Sequence, residues 1–95
     1  GEMQVFLNII TFAEAVLQTK FDPSFFIALA DHLHYAIERS REGISLQNSL
    51  AWEVRKFYPR EYEIGKQVLR LIANDLEVEL VDDEAASVAL HFVNA

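Results

Sequence analysis

The chain has no cysteine. That excludes a disulfide framework, a thiolate nucleophile and a cysteine-based zinc site, and it fits a reducing cytoplasm. No apolar run reaches the roughly 18 residues needed to span a bilayer. The stretch from Met3 to Leu17 is apolar enough to suggest a secretory leader. It lacks a basic leading segment, however, and Asn8 and Glu14 interrupt it. Positive charge is scarce: eight Lys and Arg stand against fifteen Asp and Glu, a formal charge of −7. Nucleic-acid affinity is largely phosphate neutralisation by Lys and Arg, so this chain is not expected to bind RNA or DNA itself. Three glycines and two prolines leave no glycine-rich phosphate loop, nucleophile elbow, low-complexity tract or interdomain linker, and an enzyme is not expected. What remains is 95 residues of which 52% are hydrophobic, enough for one small domain with a real core.

The apolar spacing predicts five helices. The first runs from Met3 to Gln18, with Phe6, Ile9, Ile10, Ala13 and Leu17 on one side. Asp22 caps the second and Pro23 fits its first turn. Phe26, Leu29, Ala30, Leu33 and Ile37 form its stripe, and Gly43 ends it in a left-handed turn. Asn48 caps a short third helix, Ser49 to Tyr58, with Leu50, Val54 and Phe57 inward and Trp52 in the core or a dimer contact. Pro59 opens a fourth, to Leu76, with Tyr62, Leu69 and Ile72 inward. Asp82 or Asp83 caps the fifth, Asp83 to Asn94. Glu77 to Val81 alternates polar and apolar, but a lone strand has no partner, so it reads as an extended connector. The expected fold is all-α, a compact five-helix bundle covering residues 1–95.

Two histidines need a reason for their positions. At about 100° per residue, His32 lies roughly 120° from the centre of the second helix's stripe, beside Ala28, Tyr35 and Arg39. On the fifth helix, Ala85, Val88, Ala89, Phe92 and Val93 mark the inward side, and His91 falls opposite with Glu84, Ser87 and Asn94. Both imidazoles should be reachable from outside. A neutral imidazole is a nucleophile and a metal ligand whose charge changes near physiological pH.

These segments carry a resemblance. Asp31-His32-Leu33, Ala36-Ile37-Glu38-Arg39, Gly43, Asn48-Ser49-Leu50, Glu53, Tyr58 through Gly65, Asp83-Glu84-Ala85 and Ala89 through Ala95 occur in order and at family spacing. Together they resemble the PTS regulation domain, the duplicated helical module of bacterial antiterminators and transcriptional activators controlled by the sugar phosphotransferase system. Asn48-Ser49 departs from the frequent Asn-Pro, exchanging one helix-start residue for another. His34 is a histidine the family does not require, and its ordinary reading is an incidental, partly exposed side chain.

The resemblance implies a fragment of a larger cytoplasmic regulator. It implies phosphoacceptor histidines at His32 and His91, with Asp31 and Arg39 in support. The donors would be the phosphocarrier protein HPr or the sugar permease's cytoplasmic subunit. Phosphate would shift the balance between homodimers, with the first and fifth helices as candidate contacts. Nucleic acid would be met only through a separate effector domain. The Asp31-His32 and closing His91-to-Ala95 segments look slightly more like the first copy of the duplicated module.

Physical chemistry suits this reading. An imidazole can take a phosphoryl group held on a donor protein with little beyond position and protonation state. The group adds close to two negative charges, which repel carboxylates and attract a guanidinium such as Arg39. Asp31 is expected to orient a ring nitrogen of a histidine in a partner helix or chain, since it cannot easily reach His32, its own neighbour on the helix. An alternative reading is a helical dimerisation module whose histidines are never phosphorylated. A metalloenzyme using His32, His34, His91 and Asp31 is disfavoured, because residues two apart on a helix diverge by about 200° and chelate badly. No metal or other cofactor is expected.

Overall fold

In a computed structural model describing residues 1–95, the chain forms α1 (Glu2–Leu17), α2 (Pro23–Arg41), α3 (Ala51–Phe57), α4 (Pro59–Leu76) and α5 (Asp83–Val93). The second helix starts as expected: Asp22 Oδ1 accepts the Phe25 backbone N–H at 2.9 Å, with Pro23 in the first turn. It ends where Gly43 takes φ +75° and the Ile44 N–H donates to the Arg39 carbonyl at 2.8 Å. Residues 77–81 form no strand, and Val78 turns inward from this connector.

Two expected caps do not form. Asn48 does not cap α3. Its side-chain oxygen accepts the Leu50 N–H at 2.8 Å, closing a turn ahead of a helix that begins only at Ala51. Neither Asp82 nor Asp83 caps α5 through its side chain. The Asp83 carboxylate instead accepts the Asn48 N–H at 2.9 Å. The Glu84 and Ala85 N–H groups bond the backbone oxygens of Val81 and Asp82. The third helix also buries less than expected. Over two turns it aims one side chain, Val54, at Ala86 and Ala89 of α5. Leu50, Phe57 and Trp52 are each more than half exposed, so Trp52 is no core residue.

The main core joins Val5, Phe6, Ile9 and Ala13 of α1 with Leu29, Leu33 and Ile37 of α2. Ile64, Val68 and Ile72 of α4, Val78 of the connector and Val88 and Phe92 of α5 complete it. The last helix lies at the centre. It buries Glu84, Ala85, Ala86, Val88, Ala89 and Phe92, more than one stripe's worth, because α2, α3 and α4 all pack on it. The side of α5 expected to face outward is thus largely covered by α2 and the segment leading into α3.

Gly65 sets the approach of α4 to α5. A Cβ at this position would overlap the carbonyl oxygen of Ala85, a backbone atom that cannot swing aside. Replacing a helical glycine by alanine ordinarily stabilises by about 1 kcal/mol. Here the sign reverses: Gly65→Ala is expected to destabilise by about 1–3 kcal/mol. Calorimetry should record a Tm lower by roughly 4–8 °C for each kcal/mol. An unchanged or raised Tm would show that the two helices do not meet this closely.

Candidate functional site

His32, on α2, and His91, on α5, come from segments nearly sixty positions apart and meet side by side. Their ring centroids are 4.9 Å apart and the planes are inclined at 53°. The rings sit in a shallow surface groove whose walls include Phe25, Ala28, Asn48, Ser87 and Leu90. Both are half-buried rather than freely exposed, so the outward reading of each is corrected to a shared groove.

The residue that organises the site was not singled out from the sequence. Glu84, at the start of α5, is buried and holds two side chains of α2. Its Oε1 lies 3.1 Å from His32 Nε2, and its Oε2 accepts from Arg39 Nη2 at 3.4 Å. Helical geometry explains the pairing on the α2 side: residues seven apart return to nearly the same face after two turns. Nothing local in the sequence identifies Glu84 as the partner, because an acidic residue in a first helical turn ordinarily serves the helix dipole in solvent. Burial pushes the Glu84 carboxyl up, but the hydrogen bonds and charges of His32 and Arg39 together hold it below its ordinary value.

The floor of the groove is tied by a second set of bonds. Asn48 Nδ2 donates to Ser87 Oγ at 2.9 Å, and the Asn48 backbone N–H donates to Asp83. The turn before α3 is thus fastened along α5, next to both imidazoles. No hydrogen bond within the chain involves the His91 ring. Burial lowers the His91 pKa below its ordinary value, and the charge of His32 adds to the effect, so near pH 7 this ring is neutral.

Arg39 therefore joins the site, but through Glu84. Its buried Nε has no hydrogen-bond partner. Asp31 is exposed and hydrogen-bonds neither histidine. Within this chain the carboxylate beside His32 is that of Glu84. His34 points elsewhere, with Nδ1 2.9 Å from Glu2 Oε1 of α1. That hydrogen bond raises its pKa. The four groups of the metalloenzyme reading are thus not gathered in one place.

The chain and its five-helix bundle match known proteins. The PRD domain family model covers residues 7–95, and the chain belongs to this family. Over 93 residues it is 40% identical to transcription antiterminator LicT of Bacillus subtilis, covering 98% of this chain and 34% of that protein. Over 88 residues it is 45% identical to the β-glucoside operon antiterminator of Dickeya chrysanthemi, covering 93% of this chain and 31% of that one. The chain thus spans about a third of these relatives' length. Among solved structures, the GlcT CAT-PRDI crystal structure superposes with a TM-score of 0.93 at 28% identity, covering 99% of this chain and 56% of that one. No helix is long and apolar enough to cross a membrane.

The two lowered pKa values fix a pH dependence. A group whose pKa is depressed by folding adds stability above its unfolded pKa and loses it as pH falls through the folded value. For His91 the loss begins below its unfolded value of about 6.5. For Glu84 it begins below about 4.5. Chemical denaturation should therefore show the His91 contribution declining from about pH 6.5 downward, opposed by His34, whose raised pKa adds stability as pH falls. His91→Gln should flatten the decline between about pH 6.5 and 5 and leave the steeper fall below 4.5. A variant that keeps the full decline in the upper window would remove His91 as its source.

Proposed function

We propose that this chain is the regulatory domain of a bacterial transcription antiterminator or related activator, and that it accepts phosphoryl groups on His32 and His91. The observation that carries the reading is the meeting in one groove of these two imidazoles, which the family resemblance marks as phosphoacceptors. HPr, a sugar permease's cytoplasmic subunit, or both act as donors. Phosphate then alters the pairing of domains into homodimers and so the activity of a separate effector domain, in the cytoplasm.

Local chemistry supports this. The neutral His91 ring keeps a lone pair for attack on phosphorus. A phosphoryl group on His32 is linked to Arg39 through Glu84, whose two oxygens face His32 and Arg39. It arrives beside Glu84 and its negative charge, so the balance of forces between α2 and α5 changes on modification.

Incubation with phosphorylated HPr or permease subunit should give an acid-labile mass gain. The double change His32→Ala with His91→Ala should abolish it, each single change should leave part of it, and His34→Ala should leave it intact. Removal of His32 also bears on folding, because its half-buried ring contacts the Glu84 carboxylate. Leaving Glu84 without this partner costs about 1–3 kcal/mol. Folding of each variant is therefore verified by circular dichroism. Undiminished labelling of the double variant, or loss with His34→Ala alone, would show the wrong nucleophiles. No labelling of the wild type by either donor would favour the plain dimerisation module.

For the dimer, α1 is the better of the two expected contacts, because Met3 and Leu7 are exposed on it, whereas most of α5 is buried within the domain. Sedimentation equilibrium should detect a homodimer that Leu7→Lys weakens. A wild-type monomer at high concentration, or a dimer indifferent to Leu7→Lys, would rule out α1 pairing in this chain.

A further inference from the structure

Each of the two histidines has two ring nitrogens, and the surroundings treat them differently. His32 Nε2 lies 3.1 Å from Oε1 of Glu84. That carboxylate is 7% exposed and shares its other oxygen with Arg39. A carboxylate only accepts hydrogen bonds, so Nε2 must carry the proton. In the neutral ring the lone pair is then confined to Nδ1. No protein group hydrogen-bonds that nitrogen. His91 has no comparable partner on either nitrogen, and nothing selects a tautomer for it.

From this we infer that Glu84 is a positioning residue that directs phosphoryl transfer on His32 to Nδ1. The inference rests on the proposed phosphoacceptor role and adds the atom at which it occurs. Two arguments exclude Nε2. Its lone pair is absent in the tautomer that Glu84 imposes. A phosphoryl group there would also displace a buried hydrogen bond and set about two negative charges against a carboxylate already present.

The transfer balances without any other reactant. The Nδ1 lone pair of His32 forms the N–P bond as the bond from phosphorus to the donor atom breaks. The bonding electron pair leaves with the donor atom. His32 keeps its Nε2 proton and becomes a cationic, Nδ1-phosphorylated ring. Glu84 then faces that positive ring through the same hydrogen bond, so the contact that selects the tautomer also stabilises the product. Arg39 anchors the second carboxylate oxygen and keeps the first aimed at His32.

The experiment separates the nitrogen from the donor. The chain carrying His91→Gln, labelled with 15N on histidine, is studied at alkaline pH, where imidazole is ordinarily neutral. Long-range 1H–15N spectra should show His32 as the Nε2–H tautomer. An Nδ1–H tautomer, or an even mixture, would overturn the inference before any phosphate is added. Potassium phosphoramidate, a small phosphoryl donor, is then applied, and 31P–15N coupling identifies the bonded nitrogen. Nδ1 is expected, and phosphate on Nε2 of His32, or none on either nitrogen, would overturn the inference. Glu84→Gln offers either an oxygen or an NH2 to the ring, so it should erase the tautomer preference. The Nδ1-to-Nε2 ratio should fall by roughly tenfold, the advantage of a charge-assisted over a neutral hydrogen bond. An unchanged ratio in a folded Glu84→Gln chain would also sink it. Success with phosphoramidate but failure with HPr and the permease subunit would leave the directing role of Glu84 standing and reject the donors.

Discussion

The carboxylate of Glu84 is the point at which α2 and α5 are fixed to each other at the histidine groove. It is buried, and it faces two side chains of α2 whose positive charge or hydrogen bonding offsets the loss of water. A buried carboxylate without partners is expensive, so a register of α5 that separated Glu84 from His32 and Arg39 would be strongly disfavoured. The close approach at Gly65 acts from the other side of α5, where no side chain intervenes between Gly65 and the backbone of Ala85. Together they fix α5 in rotation and depth, and the position of His91 follows.

Much of this was legible in the sequence and some was not, for identifiable reasons. Strong apolar spacing and punctuation by Asp22, Pro23, Gly43 and Pro59 place α2 and α4 correctly, because these signals act within one or two turns. Asp82 stands at the expected start of α5, but neither it nor Asp83 bonds that helix end, because the Asp83 carboxylate reaches the Asn48 N–H, while the Asn48 side chain closes a turn that delays α3 to Ala51. The histidines were identified, but their surroundings were not. A helical wheel divides α5 into an inward and an outward side, which holds only when a helix packs on one neighbour. This one packs on three, so Glu84 on the nominal outward side is covered by α2.

That distinction bears on how the site can respond. Imidazoles on freely solvated faces would gain a phosphoryl group with little effect beyond surface charge. In a groove braced by Glu84, Arg39, Asn48 and Ser87, the same group enters a network that is already nearly satisfied. Electrostatic changes are largest where water is partly excluded and charges are few and close.

The chain's charge sharpens the point. With seven more acidic than basic groups, the domain has little general positive potential with which to receive a phosphate. The cation already in the histidine network is Arg39, and its guanidinium is engaged with Glu84. Under the proposed role, an added phosphate has two ways to be balanced. It can draw Arg39 from Glu84, which leaves a buried carboxylate held by His32 alone and loosens α5 against α2. Otherwise it must be met by a cation from another chain, which changes assembly directly. Both routes convert a local covalent event into a change in how helices or copies pack, and both depend on the same shared carboxylate.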